Sequence, residues 1–230
     1  MKPRIKIDSS ILSFVVILTG LLYLVKGLYV STPFVDNIFD GLGLILILKG
    51  NLFRMSARGH KKTHSQNSQS LVTTGPYSLV RNPMYLGSFL MGAGFVLMLW
   101  PWWCLPFFAW LFYLRFKRQV MIEEEFLSRT FGDEYKAYMN KVPAIFPSLK
   151  KKERVKIKEV FNKEELFITK EKRGLIGWPI LALVLETFQE KLVFGATDFF
   201  QTFFTFLGTA IIFFLGFGLI YQKTLVLRGE

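Results

Sequence analysis

Long apolar blocks alternate with basic segments along this chain, and this pattern limits the folds that it can adopt. The blocks cover residues 11–30, 38–53, 84–100, 102–116, 174–188 and 193–221. A helix of about 20 apolar residues crosses the hydrocarbon layer of a bilayer, and the first and last blocks reach that length. The block at 174–188 is marginal and fits a short span or a re-entrant segment. The sequence therefore predicts an all-α, polytopic integral membrane helical bundle with about five to six transmembrane segments.

Composition supports a membrane protein over a soluble domain. Hydrophobic residues make up 51% of the 230-residue chain, which contains 25 Phe and has a mean hydropathy of +0.34. The first apolar block follows the stretch MKPRIK and resembles a secretory signal. It is long enough to span a membrane, however, and it lacks a clear small-residue cleavage site. We therefore predict that this block is a retained first helix.

The basic residues predict which side of the membrane each loop faces. Three lie in the N-terminal tail, five in residues 54–83 and sixteen in residues 115–173, whereas residues 31–37 contain none. Counting the spans alternately places all the basic segments on one side, which the positive-inside rule assigns to the cytoplasm. We therefore expect cytoplasmic N- and C-termini. We also expect the net charge of +12 to face membrane lipids rather than nucleic acid.

The blocks divide the chain into four regions. Residues 1–53 form a predicted N-terminal transmembrane hairpin, and residues 54–147 form the core. Residues 148–173 form a basic cytoplasmic linker, and residues 174–230 hold the C-terminal membrane segments. Within the core, Pro101 separates two apolar runs so closely that they must form a tight hairpin.

This hairpin brings two polar segments together. Two crossings return the chain to the side that it left, so GPYSLVRNPMYLGS (residues 75–88) and RFKRQVMIEEEFL (residues 115–127) lie at the same cytoplasmic edge. Trp100, Trp102 and Trp103 cluster at the turn, and tryptophan favours the membrane interface. We therefore place the turn at the opposite interface and expect a ligand pocket at the cytoplasmic mouth of the hairpin.

Residues 75–88 combine a rigid turn with a helix start. The Gly-Pro pair at the beginning favours a tight bend, and Pro83 suits the first turn of a helix because it lacks an amide hydrogen. The free amide groups of that turn and the charge of Arg81 favour an anion such as a carboxylate. Tyr77 and Tyr85 add aromatic faces for a planar ring or a cation. An ordinary interfacial anchor is an equally good explanation of this composition alone.

The second segment contributes three consecutive glutamates, Glu123, Glu124 and Glu125. Neighbouring helix positions point about 100° apart, so all three cannot face one site. Glu125 and Arg129 are spaced i, i+4 and are predicted to pair on the surface. Glu123 or Glu124 can turn toward the cleft, where a carboxylate holds a ligand ammonium or balances Arg81. Taken alone, three solvated glutamates are the simpler interpretation.

The chain offers little for thiol or metal chemistry. Cys104 is the one cysteine and lies in an apolar run, where we predict a packing residue. His60 and His64 have the spacing of two metal ligands on a helix face. Their neighbours are Lys, Ser, Gln and Asn without a further ligand nearby, so we predict a solvated loop and no metal site. Gly92 and Gly94 are predicted to allow close helix packing.

Together, the motifs resemble the isoprenylcysteine carboxyl methyltransferase family. That family reads Gly-Pro-Tyr, then Arg-His-Pro-x-Tyr-x-Gly, Glu-Glu-x-x-Leu, Phe-Gly-x-Glu-Tyr-x-x-Tyr and Val-Pro. The matching positions are Gly75, Pro76, Tyr77, Arg81, Pro83, Tyr85, Gly87, Glu123, Glu124, Leu127, Phe131, Gly132, Glu134, Tyr135, Tyr138, Val142 and Pro143. The resemblance covers residues 70–147, about a third of the chain, and the combined pattern is more specific than any of its parts.

The resemblance implies a membrane-embedded methyltransferase whose core is residues 54–147. It also implies S-adenosylmethionine as the methyl donor, bound at the cytoplasmic face, and a lipophilic substrate that enters from the bilayer. The expected cofactor-binding residues are Tyr77, Arg81, Asn82, Pro83, Tyr85, Glu123, Glu124, Tyr135 and Tyr138. Arg81 and Glu124 are the expected catalytic residues, with Arg81 suited to the carboxylate of the cofactor and Glu124 to its ammonium group.

One position departs from the family pattern. Asn82 stands where the family usually has His, and NPMYLGS is similar to the related phospholipid N-methyltransferases. Asn82 donates and accepts hydrogen bonds but cannot act as a base. A carboxylate acceptor needs no base and only a counter-charge, from Arg81 or Arg115. An amine acceptor must first lose its proton, which makes Glu124 more central.

Three other functions fit parts of the sequence. They are methylation of a phospholipid amine, a membrane reductase with a nicotinamide cofactor on a related helical scaffold, and a lipid-binding protein without catalytic activity. No dinucleotide-binding glycine fingerprint supports the reductase. Binding of S-adenosylmethionine separates the methyltransferases from the other two.

Overall fold

The structure is a computed structural model that describes residues 9–29, 33–65, 70–147, 157–195 and 198–226. Its α-helices are α1 (Ser9–Leu24), α2 (Pro33–His64), α3 (Pro83–Leu99), α4 (Cys104–Lys141), α5 (Ile157–Val160), α6 (Lys163–Leu166), α7 (Gly174–Val193) and α8 (Phe199–Val226). Short 3-10 turns lie at Lys26–Leu28, Gly75–Ser78 and Lys170–Arg173. Every regular element in these ranges is helical, which confirms the all-α prediction for the described part of the chain. The tail and linker predictions for residues 1–8, 148–156 and 227–230 fall outside it.

One described segment, Phe199–Gln222 in α8, is both long enough and apolar enough to cross a membrane. Its side chains are largely exposed, with Phe200 and Ile212 each 71% accessible. Helix α3 is also apolar but shorter. The predicted total of five to six membrane spans therefore stays a prediction.

Helix α2 is longer than the apolar block that predicts it. The block ends at Phe53, but the helix continues to His64 and spans about 48 Å at 1.5 Å per residue. Residues beyond the block stay buried, including Ala57 and His60, because α6 and the Gly75–Ser78 turn cover this part of α2. The predicted solvated loop is therefore wrong.

Glycines bring the backbones of α2 and α3 into contact. A Cβ atom on Gly94 would lie 2.4 Å from the carbonyl oxygen of Gly43, and one on Gly50 would lie 2.5 Å from that of Gly87. Gly92 faces the ring of Phe108 at similarly short range. The packing role predicted for the Gly92 and Gly94 pair is confirmed, since close helix approach requires small residues at the contact.

The hairpin at Pro101 forms as predicted. Helix α3 ends at Leu99 and α4 begins at Cys104, whose amide donates to the Pro101 carbonyl at 2.9 Å. Cys104 is 5% exposed and packs with Leu22 and Val96, as expected for a packing residue. The hairpin therefore aligns α3 and α4 side by side.

Helix α4 continues well past the apolar block that ends at residue 116 and reaches Lys141. It is interrupted at Gly132, whose φ of +55° lies in the left-handed region that glycine adopts without a Cβ clash. The break lets residues 133–141 turn back toward the start of α3. The glycine of the Phe131–Gly132 motif thus positions the aromatic residues that follow it.

Residues 157–173, predicted as part of a linker, pack on the core. Val160 of α5 contacts Phe53 and Val80, and Leu166 of α6 contacts Met55. Both side chains are 3% exposed. This part of the chain therefore covers the C-terminal half of α2, while the proposed region boundaries stay predictions.

Candidate functional site

Arg81 and Glu124 meet at the mouth of the α3–α4 hairpin. The Nε atom of Arg81 donates to Oε1 of Glu124 at 2.9 Å, and its Nη2 atom lies 2.9 Å from the same oxygen as an ion pair. Their side chains are only 10% and 16% exposed. Because little water surrounds the pair, removing one partner alone would leave a poorly solvated charge, which is costly. The convergence of the two sequence segments is therefore found in the structure.

Arg81 also holds the end of α4. Its Nη1 atom donates to the carbonyl oxygens of Met139 at 3.0 Å and Val142 at 2.6 Å. The last carbonyls of a helix lack helical partners and carry partial negative charge, so a guanidinium suits them. The side chain thus links α4 near Glu124, the end of α4 and the start of α3. Of the two roles considered for the glutamate, balancing Arg81 is the one present here.

Asn82 also links the start of α3 to Glu124 and to the segment that follows α4. The amides of Arg81 and Asn82 donate to the carbonyls of Pro143 at 2.8 Å and Ala144 at 2.9 Å. The Asn82 side-chain amide donates to Oε1 of Glu124 at 3.3 Å and to the Ala144 carbonyl at 3.2 Å. Asn82 therefore acts as a donor at every one of these contacts. Pro143 of the Val-Pro motif and Ala144 after it supply the carbonyls that hold the turn before α3, which begins at Pro83 as predicted.

Of the other two glutamates, Glu123 lies at the candidate site and Glu125 lies on the surface. Glu123 accepts a hydrogen bond at 3.0 Å from the Tyr85 hydroxyl and another at 3.0 Å from the side-chain amide of Gln119. Glu125 pairs with Arg129, and the two side chains are 60% and 79% exposed, which confirms the predicted surface pair. Glu123 and Glu124 thus both face α3.

Three of the predicted site tyrosines, Tyr77, Tyr135 and Tyr138, lie together at the Gly75–Ser78 turn and the end of α4. The Tyr138 hydroxyl donates to the Tyr77 carbonyl at 2.6 Å, and the Tyr77 hydroxyl donates to the Ala57 carbonyl at 3.3 Å. Burial, and to a smaller extent the negative charge of Glu124, raise the pKa of Tyr135 to about 12 against the opposing effect of Arg81. Burial also raises the pKa of Tyr77 and Tyr138. At neutral pH these phenols are protonated and cannot act as bases.

The raised pKa of Tyr135 predicts an alkaline loss of stability. Its folded-state pKa lies above the ordinary value near 10, so the contribution is complete below about pH 10 and is lost as the pH rises toward about 12. Tyr135→Phe has no proton to lose, and we expect its unfolding free energy to fall less than that of the wild type between pH 9 and 11. Denaturant unfolding at pH 9 and pH 11 measures this loss of stability. The control is Tyr113→Phe, at a half-exposed tyrosine of α4. Equal losses in wild type and Tyr135→Phe would contradict it.

A pocket of about 590 Å³, open to the surface, lies beside the Arg81–Glu124 pair on one face of α4. Its lining residues are Leu114, Lys117, Arg118, Met121, Ile122, Glu124, Glu125, Ser128 and Met139. Glu124 is the one predicted site residue that lines this cavity in the described part of the chain, while Arg81 and Asn82 contact that glutamate from the α3 side. The cavity therefore combines an apolar wall with basic and acidic groups.

A second set of charged contacts was not predicted. Arg54 of α2 donates to the Ser88 hydroxyl at 2.5 Å and to both carboxylate oxygens of Glu171 at 3.3 and 3.4 Å. Arg58, one turn further, contacts the same glutamate at 2.6 Å. The i, i+4 spacing of the two arginines was the available sequence signal. Their shared partner is more than 100 residues away, where helical periodicity carries no information.

Comparison with known proteins supports the family resemblance. Residues 39–134 match the phospholipid methyltransferase family. The chain is 34% identical over 114 residues to protein-S-isoprenylcysteine O-methyltransferase of Saccharomyces cerevisiae, covering 46% of this chain and 48% of that protein. It is 30% identical over 122 residues to the protein of the same name in Schizosaccharomyces pombe, covering 50% and 52%. No solved structure matches.

The matches are partial. The chain spans about half the length of the curated relatives that it matches. A further match, at 36% identity over 84 residues, covers 36% of this chain and 39% of the nickel-cobalt-cadmium resistance protein NccN of Alcaligenes xylosoxydans xylosoxydans. Because proteins with different names match the chain, the matches alone do not assign a substrate. They confirm that the chain is similar, over about half of its length, to protein-S-isoprenylcysteine O-methyltransferases, and that its residues 39–134 are similar to the phospholipid methyltransferase family.

Proposed function

We propose that this chain is an integral membrane methyltransferase that depends on S-adenosylmethionine and methylates a lipophilic substrate, as an isoprenylcysteine carboxyl O-methyltransferase does. The observation that carries the proposal is the partly buried cluster of Arg81, Asn82 and Glu124 beside an open pocket, built from motifs inside the segment that the family comparison matches. The apolar, exposed α8 supports a membrane location. Five to six spans, with the termini and the cofactor site on the cytoplasmic side, complete the proposal.

The cavity suits a zwitterionic cofactor with a planar ring. Its volume lies within the range of roughly 300–1,000 Å³ that is common for small-molecule sites. Lys117 and Arg118 provide positive charge for a carboxylate, and Glu124 provides negative charge for an ammonium or sulfonium group. Among the described residues, the contacts of Glu124 use Oε1, so we assign Oε2 to the ligand. S-adenosylmethionine bound here supplies the methyl group.

Arg81 contributes mainly by positioning. Its three nitrogen atoms are directed at Glu124, Met139 and Val142, so we propose that it fixes the carboxylate and the end of α4 around the ligand. The other predicted cofactor residues, Tyr77, Pro83, Tyr85, Glu123, Tyr135 and Tyr138, are proposed to shape the wall behind this pair. Fixed geometry is a large source of rate acceleration in a displacement that needs in-line alignment.

The nature of the nearby groups favours a carboxylate acceptor over an amine. Asn82 cannot accept a proton from a substrate, and the phenols of Tyr135 and Tyr138 are protonated at neutral pH. Oε1 of Glu124 already accepts bonds from Arg81 and Asn82. A carboxylate is deprotonated at neutral pH and needs no general base, only a positioned methyl donor and a counter-charge. We therefore place methylation of a phospholipid amine second.

The test begins with cofactor binding. Purified protein in detergent is expected to bind S-adenosylmethionine with a Kd between about 1 µM and 1 mM, measured by calorimetry. Labelled methyl transfer is then compared between a prenyl-cysteine analogue and a phospholipid extract, and we expect label in the analogue. Label in the phospholipids alone would support the amine acceptor. Failure to bind S-adenosylmethionine would reject both methyltransferases, and binding of a nicotinamide cofactor instead would support the reductase.

A further inference from the structure

Two histidines and a glutamate that have no part in the proposed reaction meet where α6 packs on the end of α2. His60 Nδ1 lies 2.8 Å from Oε2 of Glu165, and His64 Nδ1 lies 3.6 Å from Oε1 of the same residue. One candidate ligand atom from each residue lies within 4.8 Å of the other two. Imidazole nitrogens and a carboxylate are the donor set of many three-ligand zinc sites.

Helix geometry explains the histidine pair. His60 and His64 are four residues apart on α2, so their rings lie one above the other, with centroids 4.0 Å apart and planes 26° apart. Glu165 comes from α6, whose first turn is capped by the side chain of Asn162. The third potential ligand is therefore 105 residues from His60 in sequence, which is why the local composition did not predict it.

Burial and hydrogen bonding hold two of the three candidate ligands in place. His60 and Glu165 are 6% and 7% exposed, whereas the side chain of His64 is 45% exposed and leaves one side open to solvent. His60 Nε2 lies 2.9 Å from the Thr74 hydroxyl. When Nε2 carries the ring proton and donates it to Thr74, the Nδ1 lone pair is directed at Glu165. A second hydrogen bond of this kind fixes the ring of most metal-binding histidines.

We propose that His60, His64 and Glu165 bind a divalent transition-metal ion, with Zn²⁺ as the best-suited ion, and that water completes the coordination. Two ligand atoms about 2.0–2.1 Å from a tetrahedral zinc ion are about 3.3 Å apart. The distances of 2.8 and 3.6 Å from the two histidines to Glu165 lie on either side of that value. His64 Nδ1 also contacts the His60 carbonyl at 3.0 Å, and the metal replaces the proton of that contact.

The ion would connect three parts of the chain. It joins α2 to α6, and the His60 ring supports the turn that begins at Gly75. A Cβ atom on Gly75 would lie 2.7 Å from that ring, and Gly75 has a φ of +60°. The Gly75–Ser78 turn includes Tyr77, which accepts the hydrogen bond of Tyr138. The site is therefore structural, with its effect on the turn rather than on a reacting group.

The experiment measures zinc binding directly and does not depend on methyl transfer. Full-length protein, purified with a tag that contains no histidine and stripped with a chelator, is titrated with Zn²⁺ in competition with a chromophoric chelator. We expect one ion per chain and a higher thermal unfolding temperature when zinc is present. His64→Gln changes a half-exposed residue, so it is expected to fold, to bind zinc at least tenfold more weakly and to lose the thermal shift.

Matched variants separate the site from other zinc binding. Glu165→Gln and His60→Gln are expected to weaken binding as His64→Gln does, while Lys62→Ala, on the exposed face of the same turn, leaves it unchanged. Absence of stoichiometric zinc binding in the wild type would overturn the proposal. Equal affinity in wild type and His64→Gln would overturn it as well, because the ion would then be bound elsewhere.

Discussion

Replacing Arg81 with alanine is expected to weaken S-adenosylmethionine binding at least tenfold and to lower the free energy of unfolding by about 3–5 kcal/mol. The guanidinium neutralises Glu124, and it also satisfies the carbonyls of Met139 and Val142. Its removal leaves a carboxylate that is 16% exposed without its cation and two end-of-helix carbonyls without their donor. Glu124→Ala removes the other partner and is expected to weaken ligand binding by a similar factor.

Calorimetry with S-adenosylmethionine and denaturant unfolding measure the two effects separately. The control is Arg129→Ala, which breaks the exposed pair with Glu125 and is expected to change the free energy of unfolding by less than about 1 kcal/mol. Unchanged cofactor binding in both Arg81→Ala and Glu124→Ala would refute the proposed site. A loss of stability in Arg81→Ala with normal binding by the folded fraction would leave Arg81 a purely structural residue.

Replacing Gly94 with alanine is expected to destabilise the protein by about 3 kcal/mol, at the upper end of the range for overpacking. The added Cβ would lie 2.4 Å from the backbone carbonyl oxygen of Gly43 and 2.7 Å from the side chain of Ile47. A backbone atom of a packed helix cannot rotate away, so α2 and α3 must separate. Since α3 carries Tyr85 and begins at Pro83, the separation is also expected to weaken cofactor binding.

The matched control is the same substitution at Gly208 of α8, where nothing lies within 4 Å of the added Cβ. Alanine favours a helix over glycine by roughly 0.5–1 kcal/mol, so Gly208→Ala is expected to be neutral or slightly stabilising. Unfolding of both variants in the same detergent therefore compares the same substitution at two positions, where only Gly94→Ala is expected to lower the free energy of unfolding. A Gly94→Ala variant as stable as Gly208→Ala would show that α2 and α3 do not pack through their backbones.

Much of the helical framework could be predicted from local sequence pattern. The apolar blocks locate the long helices, Pro83 begins α3, and Pro101 forces the hairpin between α3 and α4. That hairpin was sufficient to predict that residues 75–88 and 115–127 meet, because two antiparallel helices joined by a short turn bring their far ends together. The contact of Arg81 with Glu124 follows from this reasoning.

The helix boundaries were predicted less well. Helix α2 extends beyond Phe53 because α6 and the Gly75–Ser78 turn cover residues that have a polar local composition. Helix α4 extends past residue 116 into a charged segment and changes direction at Gly132. Hydropathy marks where a chain is apolar, but the end of a helix depends on what packs against its last turns.

The sequence alone thus determined the all-α character of the described chain, the α3–α4 hairpin and the residue types at the candidate site. The tertiary structure decided that Arg81 holds Glu124 together with the end of α4, and that Glu165 and Glu171 face the histidines and arginines of α2. Local periodicity reports which face of a helix is buried, whereas the partner of a charged side chain is set by which distant segment packs there. The sequence pattern around a residue therefore does not indicate a carboxylate that contacts it from more than 100 residues away.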